Sequence, residues 1–141
     1  MNNALPIVLC LVFIVLAAMH FYWALGGNAF KGAAVPTISG KMAFNPGPLA
    51  TAGVGVAMLA CAALIAAASG LLGIVLPHQF LSWLCYALSL LLLARAIGDF
   101  RLVGFFKTVR NSRFARLDSV VYSPLSLALS LGVFAVGISA K

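Results

Sequence analysis

The chain has 141 residues, 64% of them hydrophobic and 8% charged, with a mean hydropathy of +1.14. A soluble domain carries about a quarter charged residues, so a soluble enzyme or binding module is excluded and the bilayer is the expected solvent. Nine Lys and Arg stand against two Asp and no Glu, a formal net charge of +7. These cations lie in short segments beside apolar runs, a pattern of membrane topology and anionic headgroups rather than of nucleic acid.

The first apolar run, Leu5 to Leu25, follows an N-terminus, "MNNALPIVLC", with no positive region, and it lacks a convincing small-x-small cleavage site. It reads as a transmembrane helix and not as a removed signal peptide. The run closes on "HFYWALGG", His20 to Gly27. Tyr22 and Trp23 fit an interfacial aromatic belt, and Gly26-Gly27 ends the helix. His20 lies about five residues inside that end, roughly 8 Å deep at 1.5 Å per residue, and the belt does not account for it.

A loop of about Gly26 to Pro48 follows, rich in Gly, Pro, Ala and Asn and carrying Lys31 and Lys41. The second run, Leu49 to Leu76, is longer than the roughly 20 residues a crossing needs, so it is expected to tilt or to begin outside the hydrocarbon. Two stripes of small residues, Gly53/Ala57/Cys61 and Ala62/Ala66/Gly70, are its expected packing faces. "LPHQ", Leu76 to Gln79, is a tight turn in which His78 is solvated.

The third run, Gln79 to Asp99, carries Arg95 and Asp99 at i, i+4, where they share a face and can pair, although the acid-first order is the better one. Its small residues Ala87, Ala94 and Gly98 are the expected packing face, with Arg95 on its flank. A basic segment of about Phe100 to Val121 comes next. Leu102, Phe105, Phe106 and Val109 fall on one side of a helical wheel, which predicts an interfacial amphipathic helix on the inner leaflet. Arg101, Lys107, Arg110, Arg113 and Arg116 are expected to contact anionic lipid headgroups. Asp118 is expected to pair with Arg116 or another arginine of the segment, or, if it folds back, to join the polar residues at the end of the third run. The fourth run, Tyr122 to Ala140, places Ser126 and Ser130 on one face.

None of the runs alternates with period two, so the expected fold is an all-α membrane protein: four transmembrane helices in an antiparallel bundle, residues 1–141 forming one domain. Lys31, Lys41 and the five cations of the third loop outweigh Lys141 and the α-amino group on the other side. The positive-inside rule then puts loops one and three in the cytoplasm and both termini outside. The halves share a faint pattern compatible with two duplicated hairpins: "GPLATA" at 47–52 parallels "SPLSLA" at 123–128, and "GNAFK" at 27–31 parallels "GDFR" at 98–101.

Cys10, Cys61 and Cys85 each fall within an apolar run, with no CxxC and no Cys/His cluster. No cofactor and no metal site is predicted.

The first and third runs point the same way, so His20 and Arg95 are expected at similar depth near the cytoplasmic face. The predicted ligand site is a polar pocket formed by His20, Trp23, Arg95 and Asp99, with Tyr122 at the same level. Arg95 would hold an anionic group, His20 and Asp99 would orient it, and Trp23 would pack on an apolar part. A purely structural account has Arg95 snorkelling, Asp99 neutralising it, and Tyr22 and Trp23 as anchors.

"HFYWALGG" at 20–27, "AVP" at 34–36, "RAIGDFRLVGFFK" at 95–107 and "FARLDSVVYSPL" at 114–125 together resemble a bacterial membrane family known as domain of unknown function 3995. The resemblance covers nearly the whole chain. It implies a small four-helix integral membrane protein of the bacterial cytoplasmic membrane, and it implies no activity. The functional expectation is therefore a membrane protein binding a lipid-like or small amphipathic ligand, with anionic lipids as partners. A homodimer is compatible with the sequence, and no nucleic acid is expected.

Three other functions compete. A small dimeric transporter or exporter needs an acid near the midplane, and Asp99 and Asp118 both lie near one face. A lipid- or isoprenoid-modifying enzyme using His20 as general base lacks a nucleophile, a metal site and a phosphate motif. An assembly or scaffold protein needs none of these.

Overall fold

The computed structural model describes residues 3–74 and 76–140; Lys141 and Val75, which entered the expectations above, lie outside them. In chain order the elements are α1 (Ala4–Ala24), α2 (Lys31–Ala34), β1 (Thr37–Ile38), β2 (Lys41–Met42), α3 (Pro48–Ala68), α4 (His78–Ile97), α5 (Arg113–Leu117), a π-helical turn (Asp118–Tyr122) and α6 (Ser123–Ser139). Helices α1, α3, α4 and the continuous helical stretch Arg113–Ser139 are each long and apolar enough to cross a membrane. The protein is a four-helix membrane protein.

Each boundary has a local cause. Pro48 opens α3 at a position where its missing N–H costs nothing. The helix stops at Ala68, eight residues before the expected Leu76, because Ser69 turns its hydroxyl back onto the Ile65 carbonyl at 2.8 Å and Gly70 takes φ +79°. The fourth crossing begins earlier than expected, at Arg113, where the Ser112 hydroxyl accepts from the Ala115 N–H at 3.0 Å. Pro124 then falls inside a helix already under way. The chain absorbs it by widening into the π turn, in which the Ser123 N–H donates to the Asp118 carbonyl, five residues back.

Packing is by two hairpins. Helix α1 lies chiefly on α3 and α4 chiefly on α6, with lesser contacts of α3 to α4 and of α1 and α3 to α6. Phe13, Ile65, Cys85, Val133 and Val136 form the centre of the core, each exposed by 1% or less. Three glycines set the closest approaches: Gly55 lies beneath the Phe21 ring, Gly132 beneath Leu9, and Gly137 against Tyr86 and Cys85. Between α4 and α6, Ser89 and Ser130 exchange hydroxyl-to-carbonyl hydrogen bonds of 2.9 and 2.8 Å.

The small-residue stripes mark the interfaces only in part: Ala62 is buried in the core and Cys61 packs against it. On α3 the buried residues are Thr51, Gly55, Ala62, Ile65, Ala67 and Ala68, while Gly53 and Ala57 face outward. On α4 they are Leu81, Cys85, Ser89 and Ala96, and Ala87 and Ala94 are exposed. Leucines 88 and 92 pack against the core. Spacing alone misplaces Gly53, Ala57, Ala87 and Ala94 because a residue's smallness permits close approach without requiring it.

Candidate functional site

The polar chemistry gathers at one end of the bundle, in two separate places. The first is built around Asp118, which is fully buried in the π turn. One carboxylate oxygen accepts from Arg95 Nη2 at 2.8 Å. The other accepts from the Gly104 N–H at 2.7 Å and from Lys107 Nζ at 3.0 Å. Lys107 is equally buried and completes its three donor bonds on the Gly104 carbonyl at 2.9 Å and the Ser119 hydroxyl at 2.7 Å. Two cations thus surround one acid. Two further buried atoms on residues flanking Asp118, Arg95 Nη1 and Ser123 Oγ, have no hydrogen-bond partner among the described residues.

The segment between α4 and α5 is what brings Lys107 in. Gly98 and Gly104 have φ +89° and +92°, and their backbones cross so closely that a Cβ on either would collide with the main chain of the other's neighbour. The Phe105 N–H returns to the Ala96 carbonyl at 2.9 Å. Asp99 accepts on one oxygen from the backbone N–H groups of Arg101, Leu102 and Val103 at 3.0, 2.7 and 3.0 Å. The N–H groups of Leu102 and Val103, with a smaller contribution from Arg101, hold its carboxyl below the usual carboxylate range.

Several expectations are corrected here. Residues 101–110 are an irregular knot and not an amphipathic helix, because the glycine crossing and the Asp99 cap take up the backbone N–H groups that a helix would use. Arg95 pairs with Asp118 and not with Asp99. Asp118 pairs with Arg95 and Lys107 and not with Arg116. Lys107, expected at the headgroups, is 1% exposed and points into the protein. Arg101, Arg110, Arg113 and Arg116 remain on the surface.

The second place is a partly open cavity of about 240 Å³ between the end of α1, α2 and the start of α3. His20 and Trp23 line it from α1, Lys31 from α2, Phe44 and Pro46 from the loop after the hairpin, and Thr51 and Val54 from α3. His20 Nδ1 lies 2.7 Å from the Leu16 carbonyl oxygen. A carbonyl oxygen only accepts, so Nδ1 carries a proton, and Nε2 is the ring nitrogen left free of that bond. Trp23 packs edge-on against His20, with ring centroids 5.2 Å apart, and its indole N–H donates to the Ala29 carbonyl at 2.7 Å. Asp99 and Asp118 are both engaged at the knot, so among the described residues no acidic side chain lines this cavity.

His20 and Trp23 therefore line one cavity, while Arg95 and Asp99 belong to the knot. Tyr122 joins the two regions: its hydroxyl donates to the Ala33 carbonyl at 3.1 Å and its ring packs on Phe114 at 5.9 Å.

A family model described as "Protein of unknown function (DUF3995)" matches residues 13–133. The chain belongs to this family. No curated protein and no solved structure matches it.

Within this DUF3995 member, sequence reasoning missed Lys31 and Thr51 on the cavity wall, and Lys107 as a buried partner of Asp118. Lys31 stands near Val35 and Pro36, in a loop whose path back to α1 no spacing rule predicts. The signal for Lys107 was present as Gly98 and Gly104 on either side of a lone acid, a spacing that permits a tight fold-back.

Proposed function

We propose that the cavity between α1, α2 and α3 binds a small amphipathic molecule that enters from the membrane. The observation that carries this reading is the composition of the wall. Lys31 and His20 lie on it, the remaining wall residues are apolar except Thr51, and no acid is present. Lys31 would receive an anionic group, and Ala50 and Thr51, in the first turn of α3, add the positive end of that helix. His20 Nε2, the ring nitrogen not used on the Leu16 carbonyl, would meet a hydroxyl on the ligand. Trp23 and Phe44 would pack on an acyl or isoprenoid chain.

The ligand class is thus a single-chain amphiphile with an anionic head bearing a hydroxyl. Arg95 and Asp99 are not assigned to it. The side of the cavity is the cytoplasmic one, on the distribution of cations between the loops. With both acids engaged at one end, no free carboxylate stands at mid-membrane to couple a transported substrate.

The test uses Trp23 as reporter in a Trp83→Phe background. Titration with lysophosphatidylglycerol should change its emission saturably, and Lys31→Gln should weaken the apparent affinity by about tenfold, the loss of one charge-assisted contact. Mass spectrometry of protein purified in mild detergent should find an anionic amphiphile. No saturable change together with no co-purified species would sink the reading.

A further inference from the structure

The faint internal repeat of the sequence returns as backbone geometry. "GNAFK" at 27–31 follows α1 and "GDFR" at 98–101 follows α4, and within them Phe30 and Phe100 have φ +61° and +62°. Ser39 at the tip of the β1–β2 hairpin is the one other non-glycine residue with positive φ among the described residues. The left-handed region is unfavourable for a bulky side chain. Burial does not compensate, since Phe30 is 69% and Phe100 61% exposed. Each lies beside a hydrogen-bonded neighbour, the Trp23 bond to the Ala29 carbonyl in one half and the Asp99 cap in the other. A cation follows each ring, Lys31 and Arg101.

Both corners lie at the same end of the bundle. Helices α1 and α4 run the same way in an antiparallel set, and the Tyr122–Ala33 bond ties the two regions together there. Membrane-crossing helices end at this level, so a ring held outward meets the headgroup layer. The exposed charge at this end is predominantly positive, five cations against the single exposed acid Asp99. Of the two acids in the chain, Asp118 is fully buried and Asp99 is bound to three backbone N–H groups. Lys41, Arg101, Arg110, Arg113 and Arg116 are exposed.

We propose that Phe30 and Phe100 are a matched pair of interfacial anchors, wedged between the headgroups of an anionic leaflet, with Arg101 and the surrounding cations binding the headgroup phosphates. The occupant of this surface is a glycerophospholipid of net negative charge. The proposal does not depend on the cavity.

The test places 4-trifluoromethylphenylalanine at position 30 or 100 of the full chain in nanodiscs of phosphatidylcholine and phosphatidylglycerol, and reads ¹⁹F line broadening. A nitroxide near the head end of the lipid chain should broaden both signals about threefold more than one at the chain terminus. Broadening by a water-soluble gadolinium chelate with no effect of either lipid nitroxide would overturn the proposal, as would equal broadening by the two nitroxides. With the nitroxide on phosphatidylglycerol, broadening at position 100 should exceed that with labelled phosphatidylcholine, and Arg101→Gln should lower this preference about fivefold, the effect of one cation at an anionic surface. A wild-type chain with no preference, or one that Arg101→Gln leaves intact, would equally refute it.

Discussion

Asp118 shows why one side chain can control a whole segment. Its two oxygens accept from a guanidinium, an ammonium and a backbone N–H. Taking two charges out of water is costly, so the cluster stands only while each charge is answered. Asp118→Asn leaves Lys107 buried without a counter-charge and should cost about 3 kcal/mol. Denaturation in detergent micelles checks this, and Asp118→Asn combined with Lys107→Met should recover part of the loss. A double variant less stable than the sum of the single ones would refute the pairing. Asp99 acts through its local cap alone. Its carboxyl is held below the ordinary value in the folded chain, so its stabilising effect is complete above the unfolded value of about 3.9 and is lost as pH falls through the lower, folded value. The stability difference between the native chain and Asp99→Ala should therefore be constant above about pH 5 and shrink below pH 4.

At the scale of elements, the knot after α4 is held by backbone approach and the α4–α6 hairpin by hydroxyls. Gly26 and Gly98 have similar φ, +96° and +89°, but a Cβ on Gly26 meets open space while one on Gly98 runs into the Val103 carbonyl. Gly26→Ala should cost about 1–2 kcal/mol, the penalty of the left-handed region. Gly98→Ala should cost more and displace Lys107 from Asp118; equal losses for the two variants would show that the crossing is not rigid. The Ser89–Ser130 exchange lies where no water competes. Measured interhelical hydrogen bonds in membranes average about 0.6 kcal/mol, so Ser89→Ala should lose about that much per bond broken. A cycle with Ser130→Ala measures the coupling directly.

At the scale of the molecule, two helical hairpins are joined along α3–α4 and α1–α6 and tied at one end by Tyr122. The join is tight at Gly132, where an added Cβ would stand 2.9 Å from the end of the Leu9 side chain. Leu9 is flexible at that end, so Gly132→Ala should be tolerated. Gly132→Leu should separate α6 from α1 and cost about 1–3 kcal/mol, the usual range for overpacking. Thermal unfolding of the two variants in the same detergent compares them. The end that Tyr122 ties carries the cavity, the knot and the exposed cations, so ligand binding and contact with lipid headgroups are proposed for one face of the protein.

The four crossings were legible in the chain because apolar length is a property of consecutive residues, and the bilayer demands about 20 of them. The breaks were legible where Gly or Pro marks them, as at Gly26-Gly27 and Pro48, and less so at Ser69, whose back-bonded hydroxyl has no pattern in sequence. The partners of the charged residues were not. Arg95 and Asp99 are four residues apart on paper, yet Gly98 ends the helix between them and turns Asp99 onto the backbone of 101–103. Asp118, 23 residues from Arg95, becomes its partner because the π turn before Pro124 lies beside the end of α4. Sequence alone determined the solvent of this protein, its number of membrane-crossing helices and the end at which its polar residues collect. Tertiary structure decided which charge answers which, because pairing depends on distance in space, and a chain that folds back on itself at two glycines does not preserve distance in sequence.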